Sequence, residues 1–502
     1  MDLSLFHVAG DAFAQLFHWK SLLMMLTGIA VGLVVGILPG LGGTVGMSLL
    51  LPFIFGMEPN VAIPLLIGMT AVIHTGDTFP SVLIGVPGSS GSQATIMDGY
   101  PLAQQGQATR ALGAAFFASM IGGVFGAFIL FLILPIARPI VLAFGSPELL
   151  MLSILGLSMA GVLAGNKPVR GLVAAGLGLF VGGIGVAPAV AEYRFVFDQS
   201  YLWDGIPIAV LALGLFALPE MMDLLAAKQS IAKAEAMAKG WAQGLKDVLH
   251  HWKLVLRCSG IGVIVGFIPG LGGSVVDWIS YGQVVQTSRD KSMFGKGDIR
   301  GVIAPESSNN AKEGGALIPT LLFGIPGSGA TAILLGGFIL LGLEPGPRML
   351  SKNPDTVLII IWTLALANVF GALACIVLSK QVAKLCFIPP AILTPFLLVI
   401  MLMGAYQSTR HWGDLIAFIV LGLLGWAMKH LEWPRAPFLI GFVLSDGIER
   451  YLWISMERYQ FSWVSRPGVL VVAALTVALV YAGARLKATG NKERFADVTQ
   501  KS

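Results

Sequence analysis

Charge is scarce in this chain: 12% of its 502 residues are Asp, Glu, Lys or Arg, where a water-soluble domain carries about a quarter. Cysteine is scarcer still, with three copies, Cys258, Cys375 and Cys386, each in apolar surroundings. They supply neither a disulfide framework nor a metal-binding spacing. Among the seven histidines only His250 and His251 are adjacent, and no His-x-x-x-His or Cys-x-x-Cys accompanies them, so no transition-metal centre is expected. Gly-x-x-x-x-Gly-Lys-Ser/Thr, Gly-x-Ser-x-Gly and His-Glu-x-x-His are missing too. ATP-driven transport and the common hydrolase chemistries thereby lose their usual supports. Met1 to Trp19 carry no basic n-region, and the apolar stretch from Ser21 is too long for a signal-peptide core, so the first hydrophobic segment is expected to stay in the mature protein.

What fills the chain is apolar sequence, 56% of the residues, with a mean hydropathy of +0.81. At roughly 20 apolar residues per crossing, the runs between 21 and 484 leave room for about ten to twelve spans plus shorter re-entrant pieces. The expected fold class is therefore all-α, a polytopic membrane protein with lipid as its surroundings. The net charge of +5 and pI near 9.0 do not mark a nucleic-acid binder. Most of the basic residues fall in loops expected to face the cytoplasm. Arg138, Lys167, Arg170, Arg410, Arg435 and Arg466, with Trp203, Trp252, Trp412, Trp433 and Trp463, stand at segment ends as interface anchors.

Two of the apolar runs are interrupted by the same pentapeptide, Pro-Gly-Leu-Gly-Gly, at Pro39–Gly43 and Pro269–Gly273. Proline removes a backbone donor and glycine loosens the chain, so each copy frees peptide groups that lipid cannot satisfy. Such backbone persists only where protein buries it or a polar cavity receives it. Gly36 to Gly43 aligns with Gly266 to Gly273, a shift of 266 − 36 = 230, and Leu83 to Ser89 aligns with Leu322 to Ser328, a shift of 326 − 87 = 239 at the prolines. The chain reads as a duplicated unit, with halves 1–225 and 254–502 joined by a basic linker at 226–253 containing Lys228, Lys233, Lys239, Lys246 and Lys253. The loop at Glu58 to Asn60 has no Lys or Arg, whereas its counterpart holds Arg289, Lys291, Lys296 and Arg300. That bias, with the linker and the Arg485–Lys501 tail cytoplasmic, predicts two inverted repeats; a parallel repeat is the alternative.

Duplicated broken helices point to a transporter's binding site. Small polar residues follow each break, where they can cap a restarting helix whose free N–H groups and dipole attract a carboxylate. The candidate substrate-binding set is Pro39, Gly40, Gly42, Gly43 and Thr44, then Pro87, Gly88, Ser89 and Ser90, with Pro269, Gly270, Gly272, Gly273 and Ser274, and Pro326, Gly327 and Ser328 in the second half. The other reading of these glycines is close helix packing. A polar stripe at Glu306, Asn309 and Asn310 offers hard oxygen donors for an alkali cation, and Asp277, within an apolar run, is a further candidate. Lys312 and Glu313 read equally well as interfacial charges, and Asp77, with His74 and Thr78 nearby, sits before a Phe79-Pro80 step that suggests a bend.

From Gly301 to Leu350 the sequence becomes specific: Ala304-Pro305-Glu306, Asn309-Asn310-Ala311, Gly314 to Thr320, Gly324 to Ser328 and Gly342 to Pro347. Together with the paired pentapeptide and Asp98-Gly99-Tyr100-Pro101, these resemble the TctA family, the large permease subunit of bacterial tripartite tricarboxylate transporters. The resemblance implies a bacterial cytoplasmic-membrane permease, not an enzyme. It implies partnership with a small TctB-like membrane subunit and a periplasmic TctC-like solute-binding protein. It also implies import of a carboxylate, tricarboxylate or dicarboxylate, with a coupling cation, typically sodium, and no other cofactor. His74, Asp77, Phe79 and Pro80 interrupt a stretch that is usually rich in Gly, Ser and Thr, so citrate is not assumed. An intramembrane enzyme and an ion channel are the competing readings. The first would need convergent acids and bases that are sparse here, and the second usually takes its symmetry from oligomerisation.

Overall fold

The structure, a computed structural model, describes residues 3–38, 41–163, 168–190, 192–226, 240–271, 273–385 and 390–481. Pro39, Gly40 and Gly272 of the candidate site lie outside the described residues, as do Lys167, Cys386, linker residues 227–239 and the Arg485–Lys501 tail.

The first half consists of α1 (Leu3–Leu16), α2 (Trp19–Ile37), α3 (Gly42–Leu50), α4 (Pro59–Leu83), α5 (Gln93–Leu102), α6 (Ala108–Leu142), α7 (Ser146–Leu163), α8 (Pro168–Gly182), α9 (Ile208–Ala212) and α10 (Leu218–Ala226). A two-residue hairpin, Gly185–Val186 with Tyr193–Arg194, separates α8 from α9. The second half follows as α11 (Trp241–His250), α12 (Trp252–Phe267), α13 (Gly273–Thr287), α14 (Arg300–Phe323), α15 (Gly329–Leu340), α16 (Pro347–Lys352), α17 (Pro354–Val377), α18 (Ser379–Leu385), α19 (Pro390–Gln407), α20 (Trp412–His430) and α21 (Arg435–Tyr459). The protein is all-α and polytopic. Among the described residues six helices are long and apolar enough to cross a membrane, or eight if two bent pairs each count as one span, and five shorter apolar helices accompany them. Part of the linker is helical: α11 packs on α6, with Trp241 stacked on Phe116 at 6.1 Å, and meets α12 at a 78° bend.

The duplication is written into the packing. Gly32 of α2 leaves no room for a Cβ beside the Met69 carbonyl of α4, and Gly262 of α12 stands the same way to the Ser308 carbonyl of α14; here 262 − 32 = 230 and 308 − 69 = 239. The reverse contact repeats as well, Gly76 against Leu33 and Gly315 against Val263. Small residues let the two backbones of each pair approach closely. Both first helices end in extended residues, Leu38 with ψ 111° and Ile268 with ψ 112°. Both long partners run out at a left-handed glycine, Gly85 at φ 67° and Gly324 at φ 69°, the conformation in which glycine terminates a helix without a Cβ penalty.

The halves then exchange contacts. α3 of the first half packs on α15 of the second while α13 packs on α5, and α6 lies against α14 while α17 lies against α4. Reciprocal contacts of this kind are those that two halves related by a pseudo-twofold would make. At the centre of this packing is α14, buried from Gly301 through Leu322. Its polar residues would be costly to expose to lipid, and the surrounding α4, α6 and α12 cover them. Phe79-Pro80 does not interrupt the helix: Pro64 and Pro80 both lie inside a continuous α4, and the chain leaves it only after Leu83. Asp98 of the Asp-Gly-Tyr-Pro motif fastens α5 to the entrance of α14, accepting from the N–H groups of Gly297 and Asp298 at 2.9 Å each and from the Tyr281 hydroxyl at 2.9 Å.

Candidate functional site

The four helix starts pack in two pairs across the halves, α3 with α15 and α13 with α5, and loop contacts link the pairs. Gly42, at φ 55°, places its Cα side 3.8 Å from the Ser89 Cβ, measured from an ideal Cβ, and Gly43 lies 3.6 Å from the Ala330 Cβ on the same measure. The start of α3 is thus held between the Ser89 loop of its own half and the start of α15 in the other. Thr44 approaches Gly329 and accepts on its carbonyl from Ser48 at 2.7 Å. Gly270, at φ 86°, donates its N–H to the Gly327 carbonyl at 3.1 Å, which ties the Pro269 break to the Pro326 loop. Helix α13 starts at Gly273 and takes Ser274 into its first turn. Ser328 caps α15 in a reciprocal box, accepting from the Thr331 N–H at 3.3 Å while its own N–H donates to Thr331 Oγ1 at 2.8 Å. Pro87 is half-buried and Ser90 is exposed.

Gly88 and Gly327 differ from the expectation that they offer backbone to a ligand. Both are buried, Gly88 against Asp77 and the Gly36 carbonyl, Gly327 against Ala316 and the Gly266 carbonyl. They seat the loops on α2 and α12, so the packing reading accounts for these two positions.

The pseudo-equivalent helix starts are not alike. Asp277, fully buried, lies at the start of α5, where its Oδ2 accepts from the Ala94 N–H at 3.0 Å and its Oδ1 from the Trp278 N–H at 2.8 Å. A carboxylate of the protein itself therefore satisfies the positive end of α5. Subtracting the repeat shift, 277 − 230 = 47, puts Met47 at the equivalent place, where its sulfur accepts from Thr70 at 3.3 Å. No internal carboxylate is supplied to α15 from that position.

Glu306 is equally well satisfied. Its oxygens accept from the hydroxyls of Thr95 at 2.7 Å, Ser119 at 2.9 Å and Thr78 at 3.0 Å, joining α14 to α5, α6 and α4. Asn309 donates to the Gly91 carbonyl at 3.1 Å; Asn310 donates to Asn368 Oδ1 at 2.8 Å and Thr75 Oγ1 at 3.0 Å. Both asparagines direct their amide nitrogens into these bonds and leave Oδ1 buried without a hydrogen-bond partner. Orphaned buried acceptors are uncommon and call for a cause. Hard carbonyl oxygens of this kind suit an alkali or alkaline-earth cation.

Lys312 and Glu313 are not interfacial. They are 4% and 3% exposed and form an ion pair at 2.5 Å. Glu313 also faces His74, whose Nε2 lies 3.2 Å from Oε1, while His74 Nδ1 lies 3.2 Å from Asp77 Oδ2. The Ser89 hydroxyl donates to that same Asp77 oxygen. The sequence reading did not reach Ser119, Thr75 and Asn368. Asn368 in the apolar α17 was open to discovery as an intramembrane amide, whereas the two hydroxyls look like any others that bond back within a helix.

Buried broken helices, polar side chains gathered where the breaks meet and an apolar exterior define a multi-pass membrane protein of the transporter class. The chain belongs to the tripartite tricarboxylate transporter TctA family, whose profile matches residues 22–440. A relative from Agrobacterium vitis, the "Uncharacterized 52.8 kDa protein in TAR-I ttuC' 3'region", is 31% identical over 439 residues, 85% of this chain and 85% of its own length. A second from the same organism, the "Uncharacterized protein in TAR-II ttuC' 3'region", is 33% identical over 195 residues, 38% of this chain and 79% of its own. No solved structure matches the chain.

Proposed function

We propose that this chain is the membrane permease of a binding-protein-dependent secondary transporter that imports a carboxylate, of the tricarboxylate or dicarboxylate class, together with sodium. Its place is the bacterial cytoplasmic membrane, beside a small TctB-like membrane subunit and a periplasmic TctC-like binding protein. The observation that carries the reading is the pairing of helix starts across the halves, α3 against α15 and α13 against α5, because helix N-termini present N–H donors and a positive dipole to an anion without a dedicated arginine. Asp277 already answers α5, so the substrate carboxylate is assigned to the α3 and α15 starts, among Gly43, Thr44, Ser89, Ser90 and Ser328. Sodium is assigned to the unpaired Oδ1 atoms of Asn309 and Asn310. Glu306 and Asp277 serve as positioning groups beside it, since backbone or hydroxyl donors occupy their oxygens.

The test is uptake of a radiolabelled carboxylate panel into vesicles carrying the permease and its small subunit, with and without sodium and the cognate binding protein. At micromolar substrate, saturable uptake that requires both is expected. Saturable uptake by this chain alone would make it a self-sufficient carrier, and uptake that never saturates would favour a channel.

A further inference from the structure

His74 occupies a position with a specific proton requirement. Both ring nitrogens face a carboxylate oxygen at 3.2 Å, Asp77 on one side and Glu313 on the other. A neutral imidazole has one N–H and one lone pair, so a neutral ring between two carboxylates would set its lone pair against an anion. A protonated ring donates to both. Charge makes the same demand: Lys312, Glu313 and Asp77 sum to +1 − 1 − 1 = −1 when ionised, in a site where each of these residues is at most 4% exposed. An uncompensated buried charge is expensive, and a proton on His74 cancels it. The other titratable groups around this site are acids too, which add no positive charge, and each has donors of its own. Glu306 on α14 takes three hydroxyls, Asp277 on α13 takes the N–H groups of Ala94 and Trp278, and Asp98 on α5 is turned toward Gly297, Asp298 and Tyr281.

The location matters as much as the chemistry. Because 313 − 74 = 239, the shift that relates α4 to α14, His74 and Glu313 are equivalent residues of the two halves. Their contact joins α4 to α14, so a parting of these two helices at this level breaks it. Glu313 then keeps Lys312, Asp77 keeps the Ser89 hydroxyl, and the ring loses one of the two acceptors that hold its proton.

We propose that His74 carries a transported proton, bound while α4 and α14 are together and released to water when they part, so that a proton accompanies the carboxylate in addition to sodium. This rests on the carrier reading above, and the two are tested separately. The first measurement uses the full chain in lipid with 15N-labelled histidine, the His74 signal being the one that His74→Gln removes. At neutral pH a doubly protonated ring is expected, and Glu313→Gln should return it to the neutral form. A neutral ring in the unsubstituted chain overturns the proposal. The second follows a pH electrode and radiolabel together in weakly buffered vesicles holding the chain and its companion subunits. Unsubstituted protein should take up protons in step with carboxylate, while whatever uptake His74→Gln retains should be free of protons. A proton-to-carboxylate ratio that is zero in the unsubstituted protein, or unchanged in His74→Gln, overturns the proposal. If no carboxylate is carried at all, the carrier reading fails, and the ring spectrum still decides whether the proton resides on His74.

Discussion

Asn310 concentrates in one side chain the difference between a structural amide and a ligand. Its nitrogen is committed to Asn368 and Thr75 and its oxygen to nothing in the protein. Asn310→Ala is expected to raise the sodium concentration for half-maximal uptake by roughly tenfold, the effect of about 1.4 kcal/mol, with little change in substrate dependence at saturating sodium. Unchanged sodium dependence in both Asn310→Ala and Asn309→Ala would remove the cation from this site. The two asparagines drew attention in sequence as part of a polar stripe with Glu306 at helical spacing, and the structure buries all three on α14. Lys312 and Glu313 were not legible as a buried pair, since a charged pair beside polar residues looks the same at an interface as in a core. What distinguishes them is His74, 239 positions earlier in the case of Glu313, and no local pattern spans that distance. Asp277 stood out as an acid in an apolar run, but its partner was not legible, because the N–H that answers it belongs to Ala94, 183 positions away.

At the scale of elements, the breaks at Pro87, Pro269 and Pro326 were readable from proline and glycine alone, and the helices stop where those residues require. The turn glycines were harder to interpret. Gly88 has its neighbours Asp77 and the Gly36 carbonyl only 2.5 Å from where a Cβ would stand. A larger residue must lift the 84–92 loop off α2. Gly88→Val is therefore expected to lower the melting temperature in detergent and uptake together, with a cost of about 1–3 kcal/mol as for other overpacked sites. A variant of unchanged stability would show that the loop has room to move and that glycine serves something other than its seat. Sequence could not separate these uses because a glycine that admits a ligand and one that admits a helix are the same residue. The unbroken α4 makes a similar point: Pro80 reads as a bend, but neighbouring helices and hydroxyl side chains can satisfy the backbone groups a proline frees, so the helix continues through it.

For the molecule as a whole, the paired motifs and their two shifts announced a duplication, and the glycine contacts of α2 with α4 and α12 with α14 repeat at those shifts. Charge bias predicts inverted rather than parallel repeats, and the orientation can be measured. Glu58 and Lys291, both exposed in corresponding loops, should react as Glu58→Cys and Lys291→Cys with a membrane-impermeant maleimide from opposite faces. Labelling from one face would make the repeat parallel. What sequence could not supply was the exchange of partners, α3 with α15 and α5 with α13, because it depends on how two similar units are set against each other.

That exchange has a consequence for how the chain is made. Asp77 and His74 enter the bilayer during synthesis of the first half, but Lys312 and Glu313 are added only after some 239 further residues. At roughly 5–20 residues per second, the delay amounts to about 10–50 s, in which a carboxyl group and an imidazole on α4 must be kept from lipid without their final partners. The unfinished protein has to shelter them, by holding α4 near the aqueous insertion pathway or by neutralising Asp77 for the interval. The interval between the halves is thus a point of exposure for this permease, and conditions that slow elongation between them should lose more of the protein to quality control than the same slowing after Glu313.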